Sequence, residues 1–299
     1  MVSKFNMRKS FYLFRALNYE YSEEEFKVVL NDYKSMIDIF IYLINTIVDN
    51  KIKDEGWRYY AETLAIKFTF SANTLSNIIS GSNIDSPLSK VSTKIIDVSS
   101  LFTIMRTQIE NYLTYFYLFV QPDSIQMQNY RFLIYELSGY QSRQKFPPLT
   151  TYAANKQKFE RNRMDEIISQ LHENDFFNSL PENEQKRIVK EKKAKLTSWN
   201  TLLDESKLTV EIFKKSWNLY SNFAHSEFAS LMQVRSFLEE PYKTISSRNL
   251  VIFTALMLIS VFIKDFSQLY REIEIRYKII SIDDQEVIEL FNRLAQKKK

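Results

Sequence analysis

The chain has 299 residues, 45% apolar and 25% charged, and 40 basic against 36 acidic residues give a formal net charge of +4. It holds three glycines (Gly56, Gly81 and Gly139), six prolines, two histidines and no cysteine. Glycines this far apart build no dinucleotide-binding, Walker or nucleophile-elbow loop, and without cysteine there are no disulfides, thiolate metal sites, iron–sulfur clusters or thiol nucleophiles. Scarce glycine also argues against an architecture of many tight hairpins, so the expected fold class is all-α, a multi-helix bundle of about eight to ten helices. Charge this balanced gives no bulk argument for nucleic acid.

Residues 1–21 mix basic and aromatic side chains without periodicity and read as an N-terminal arm. Ser22 and Glu25 have capping-box spacing, and Phe26, Val29, Leu30, Tyr33, Ile37, Phe40, Ile41 and Ile44 recur at threes and fours, which predicts a helix to about residue 50. A second helix is expected over 53–80, ending at Gly81 as a C′ glycine, with a polar connection over 80–87. A third should start soon after Pro87 and run to about Val120, where Gln121-Pro122-Asp123 stops it. Asp123 or Ser124 then caps a helix over about 124–145 that Pro147-Pro148 ends. Residues 151–174 alternate charges as a water-facing helix does, and 179–195 read as a short helix with Glu182 and Glu184 early and lysines late. The stretch 150–195 reads as a charged helical insertion.

Residues 208–227 have helix length, a short piece reaches about Leu238, and Pro241 is read as a breaker. Ser246-Ser247 opens a long apolar helix to about Ile279, and residues 283–295 form a last amphipathic helix before Lys297-Lys298-Lys299. The expected organisation is one domain, 1–299: the arm, N-terminal helices over 22–81, a core over 88–280 including the insertion, and a C-terminal helix and basic tail over 281–299. The longest apolar run, 250–263, is short for a bilayer, and the first residues lack a continuous apolar segment. The expectation is a soluble, cytoplasmic protein with no membrane partner.

Two polar interruptions stand out. Arg106 and Glu110, four apart, sit inside the apolar run 101–120, where a charge is costly unless paired. Ser221 and His225, also four apart, share a helical face flanked by Tyr220 and Asn222. Each has a structural alternative: an internal ion pair that fixes packing, and a hydrogen-bonding histidine at a helix end. Neither histidine, His172 nor His225, lies in a helical metal motif, so no metal and no cofactor are expected. The basic run 186–195 reads as a solvated face with phosphate contact as the alternative, and the aromatic group Tyr112, Tyr115, Phe116, Tyr117 and Phe119 as buried core.

The order M-R-T-Q-I-E (105–110), Trp199, then Y-S-N-F-A-H-S (220–226) resembles a bacterial family of all-helical proteins with an R-x-x-x-E helix followed by a Y-S-x-x-x-H helix. That family is similar to the HEPN helical bundles: RNA-cleaving toxins, antiviral effectors and inactive scaffolds. The resemblance covers about residues 90–275. It implies a HEPN-like core, RNA as partner, a role in defence or stress, and a homodimer, here through the apolar helix 250–279. His225 would be general acid/base and Arg106 the phosphate-binding cation, oriented by Glu110. Ser221 would complete the site, and Tyr220 and Asn222 would be secondary donors. The sequence departs from the nucleolytic pattern, which has arginine where this chain has Tyr220. The other expectation, from a different class, is a non-catalytic interaction protein whose polar cluster is structural.

Overall fold

A computed structural model describes residues 10–12, 21–52, 56–191 and 194–297. Most of the expected arm lies outside the described residues, as do residues 298–299 of the basic tail. Of the arm, Tyr12 is fully buried, its hydroxyl donating to Asp32 and its ring 4.7 Å from that of Phe291.

Helix α1 (Glu23–Asp49) begins on a full capping box: Glu25 N donates to Ser22 Oγ at 3.2 Å and Ser22 N donates to Glu25 Oε2 at 2.7 Å. A 3₁₀ turn, Gly56–Arg58, leads into α2 (Tyr59–Ile78). Next comes an unexpected hairpin. β1 (Ser82–Ser86) pairs antiparallel with β2 (Val91–Ile95), from Ser82 opposite Ile95 to Ser86 opposite Val91. The turn takes Lys90, not glycine, into the left-handed region (φ 56°), so glycine scarcity did not exclude it. The third helix therefore starts at Val98, not after Pro87. Gly81 does adopt positive φ (82°), two residues beyond the C-cap Ile79; a Cβ there would lie 2.8 Å from the Ile95 carbonyl oxygen.

Helix α3 (Val98–Tyr115) passes into a π segment, Phe116–Val120, and α4 (Ile125–Arg143) follows with Ser124 Oγ capping Met127 N. Then come α5 (Thr151–His172), the short α6 (Asp175–Asn178), α7 (Glu182–Lys190) and α8 (Trp199–Glu205). A π turn, Val210–Lys214, precedes α9 (Lys215–Ala224), followed by α10 (Phe228–Glu239) and α11 (Pro241–Ser267). Helices α12 (Arg271–Lys278) and α13 (Ile282–Ala295) end the described chain. Pro241 thus opens a helix rather than breaking one, because a first-turn residue needs no N–H and proline's fixed φ suits it. The expected helix to Ile279 stops at Ser267. The all-α class holds, with more and shorter helices than expected.

The chain divides into two compact units, one from 1–113 with 203–299 and the other Thr114–Leu202. The expectation from sequence is one domain over 1–299. The expected insertion also grows to include α4, because α5 needs an apolar partner: Tyr130, Leu133, Ile134 and Leu137 pack with Ile167, Leu171, Phe177 and Ile188 in a core of their own.

In the larger unit α11 is the centre. Residues 251–263 are all buried, and the Phe262 ring lies 5.0 Å from Phe40, 5.0 Å from Phe68 and 5.6 Å from Tyr112, joining α1, α2 and α3. Asp265 accepts the Tyr112 hydroxyl at 2.9 Å and Lys207 Nζ at 2.9 Å. By length and hydropathy α11 is apolar enough to cross a membrane, and 89% of its most apolar window is buried inside the protein. Within 250–279 the exposed large apolar residues are Ile275 and Ile279, so a homodimer through this stretch has those, not the apolar run, as its surface.

Phe262→Ala should lower the stability of this unit by about 3–5 kcal/mol in urea unfolding. A second expectation concerns pH. Arg248, 2% exposed, pairs with Glu23 at 2.9 Å, and that guanidinium holds the Glu23 carboxyl below the usual carboxylate range. A depressed folded value stabilises above the unfolded pKa of about 4.3 and is lost as pH falls through the folded value. The melting-temperature gap between wild type and Glu23→Gln should be full near neutrality and shrink below about pH 4.

Candidate functional site

The expected continuous helix over 208–227 is interrupted. Thr209 N donates to Ala295 O at 2.8 Å and Lys297 N to Lys207 O at 3.0 Å, so residues 207–209 are extended against the C-terminal segment, and helical structure starts with the π turn at Val210 and becomes α9 at Lys215. Helix α9 ends at His225 in a Schellman motif. Glu227 N donates to Asn222 O at 3.0 Å and Ser226 N to Phe223 O at 3.3 Å. Ser226, with φ 52°, fills the position that glycine usually takes. This cap fixes the backbone of His225 while its side chain stays at the surface.

On α3 residues 102, 106 and 110 fall on one stripe. Phe102 packs against Tyr220 at 4.7 Å and Phe223 at 4.8 Å, and so sets α3 against α9. One turn on, Arg106 Nε donates to Glu110 Oε1 at 3.0 Å and Arg106 Nη1 to His225 Nε2 at 3.1 Å. Trp217 Nε1 donates to the same Glu110 oxygen at 3.2 Å, and the Arg106 guanidinium lies 5.8 Å from the Trp217 ring centre. The two sequence motifs therefore meet. Arg106 and Glu110 side chains are 19% and 26% exposed, so this is a half-sunken pair opening to water at His225.

A guanidinium only donates, so Nε2 must accept, and an imidazole that accepts there is neutral with its proton on Nδ1. Among the described residues Arg106 Nη2 and His225 Nδ1 have no hydrogen-bond partner. The cluster thus offers two open donors, Arg106 Nη2 and His225 Nδ1, able to hold an anion, and the imidazole gains a basic nitrogen once Arg106 turns to that anion.

The other expected residues fare unevenly. Ser221 Oγ donates to Trp217 O at 2.8 Å, an intrahelical bond that does not reach His225. Tyr220 is fully buried against Phe102, a core ring and not a surface donor, because the packing of α3 on α9 needs it. Asn222 is half-buried, and its carbonyl serves the cap. The reading omitted Trp217, although 217, 221 and 225 step by four along one face. Trp199, part of the resemblance, opens α8 with Lys195 Nζ 3.7 Å over its ring. His172 stacks edge-on with Phe177 at 5.2 Å. The aromatic group from Tyr112 to Phe119 is buried, as expected. In the basic run Lys186 pairs with Glu182 at 2.5 Å and Arg187 lies 3.9 Å from Glu191, while 192–193 fall outside the described residues. Among the described residues no three His, Cys, Asp or Glu side chains gather to hold a metal ion. Comparison with protein-family models, curated proteins and solved structures finds no match.

Unequal roles should appear in unfolding experiments. Glu110→Ala removes the acceptor of a half-buried guanidinium and an indole N–H and should cost about 1–3 kcal/mol. His225→Ala, at the surface, should stay within about 0.5 kcal/mol of wild type. Equal losses would contradict the assignment of Glu110 as anchor and His225 as open group.

Proposed function

We propose that the larger unit carries a phosphodiester-acting site centred on His225 and Arg106, in a HEPN-like bacterial effector that binds or cleaves RNA in defence or stress. The observation that carries this reading is the 3.1 Å contact between Arg106 and His225 at an open surface. Arg106 supplies the cation that the nucleolytic pattern has at the place of Tyr220, and supplies it from a different helix.

In this reading Arg106 passes its Nη1 bond from His225 to the bound phosphate, which frees His225 Nε2 to take the proton from a ribose 2′-hydroxyl, whose oxygen attacks the adjacent phosphorus. The 5′-oxygen leaves with a proton from the protonated imidazole or from water, giving a 2′,3′-cyclic phosphate and a 5′-hydroxyl end. Arg106 faces the charge that builds on the phosphorane, where one fixed donor is worth about 10²–10³ in rate. Glu110 and Trp217 are positioning residues: together they hold the guanidinium. Ser221 has no direct part, since its hydroxyl is committed to the backbone.

One observation favours a second, non-catalytic reading. Arg106 ties Glu110 on α3 to the capped end of α9, which is also what a helix clamp in an interaction protein would do. The discriminating experiment follows growth and total RNA integrity in bacteria expressing wild type, His225→Ala or Arg106→Ala, with purified proteins assayed on RNA. The proposal expects cleavage by wild type and a loss of about 10²-fold or more in His225→Ala with stability unchanged. Full cleavage by His225→Ala defeats the catalytic form, and a stability loss without any effect on RNA supports the clamp.

A further inference from the structure

The smaller unit carries a second feature that the Arg106–His225 reading does not use. At the corner between α4 and α5, Phe146, Leu149, Tyr152 and Phe159 are 70%, 92%, 76% and 68% exposed. The core of this unit is complete without them, from Tyr130, Leu133, Ile134 and Leu137 of α4 against Ile167 and Leu171 of α5. Apolar groups this exposed, three of them bordering one hollow, mark a contact surface.

The charge nearest the hollow is mostly basic, although Arg163 is paired with Glu136 and Glu166. From 143 to 163 the chain carries Arg143, Lys145, Lys156, Lys158, Arg161 and Arg163 against one carboxylate, Glu160. Glu160 is only 2% exposed and pairs with Arg143 at 2.8 Å, so it does not face solvent. Lys145, Lys156 and Lys158 are exposed and form no ion pair among the described residues. Phe146, Leu149 and Tyr152 line a hollow of 430 Å³ with Arg143 and Lys156, and no carboxylate borders it.

The hollow is also held in shape. Pro147 and Pro148 fix the loop backbone, Gln157 Nε2 donates to Phe146 O at 2.6 Å, and Thr150 Oγ1 accepts from Ala153 N at 3.1 Å to start α5. Tyr152, Lys156 and Phe159 are spaced i, i+4, i+7, so an aromatic–cation–aromatic stripe continues along α5 from the hollow.

We infer that this corner is a docking surface for a single-stranded nucleic acid, with Phe146 and Tyr152 stacking on unpaired bases while Lys145 and Lys156 meet phosphates. Aromatic faces interleaved with cations are what a backbone-tracking, sequence-tolerant single-strand site requires. A bilayer surface would also take exposed apolar and basic groups, but Phe146 and Tyr152 border one hollow together with Lys156, so ring and cation stand side by side as a base and its phosphate do. The inference is independent of the reading of Arg106 and His225.

The test uses the full chain carrying Arg106→Ala and His225→Ala, so that binding at the other site does not contribute. Anisotropy of labelled oligouridine and oligothymidine should show binding that weakens steeply with salt. Tyr152→Ala and Phe146→Ala should each weaken it about tenfold, as lost base stacking does, and Tyr152→Trp should preserve it. Lys156→Ala should flatten the salt dependence, with unfolding midpoints unchanged throughout because these side chains are exposed. Four results each overturn the inference: no binding to either single strand, binding indifferent to both ring variants, equal binding to duplex, or capture by phosphatidylserine vesicles that Leu149→Ala abolishes while oligonucleotides do not bind.

Discussion

The larger unit depends on one constraint, the burial of α11. Residues 251–263 have no polar face to turn to water, so the helix must be enclosed on all sides, and α1, α2, α3 and α13 enclose it. Burial of an aliphatic or aromatic side chain is worth roughly 1.5–3 kcal/mol, so this single helix carries much of the drive for folding. Asp265 gives the enclosure a fixed register: a buried carboxylate must be satisfied, and Tyr112 of α3 and Lys207 satisfy it. The apolar run expected to be a buried helix that also pairs two copies is buried within its own chain.

The candidate site follows from that enclosure. Tyr112 holds α3 on α11, which leaves the stripe of Phe102, Arg106 and Glu110 for α9. Phe102 sets the two helices together through Tyr220 and Phe223, and this is why Tyr220 is in the core instead of at the surface. Beyond that aromatic contact the stripe becomes polar. Glu110 and the Trp217 ring fix the guanidinium, and the Schellman cap brings the His225 ring to it. A surface ion pair alone would say little, since such pairs are worth about 0–1 kcal/mol. The unusual feature is a cation held by Glu110 and the Trp217 ring and presented next to an imidazole.

Much of this was legible in the sequence where the signal is local. The Ser22–Glu25 capping box, Ser124 at the start of α4 and the acidic start of α7 follow from short-range rules, and the structure has each. Arg106, Glu110 and His225 stood out because charge and imidazole are rare in apolar helices. What was not legible depends on choices the chain makes at longer range or against preference. The hairpin turn puts a lysine where glycine is usual, so composition did not reveal it. Proline at position 241 has two meanings, and only the helix after it shows which applies. The smaller unit exists because α4 and α5 share a core, a pairing invisible in the charge pattern of α5 alone. Trp217 was missed because it looked like one more apolar residue in an amphipathic run, although it shares a helical face with His225.

The central claim is that Arg106 and His225, 119 positions apart in sequence, form one open pair with a defined proton arrangement. Two-bond proton–nitrogen correlation spectra of the imidazoles test it most directly, with His225→Ala used to assign the signal. The account predicts a neutral His225 ring protonated at Nδ1 with an accepting Nε2, a balance that shifts in Arg106→Ala and on addition of a phosphodiester analogue. An Nε2-protonated ring, or a spectrum indifferent to Arg106, would contradict it.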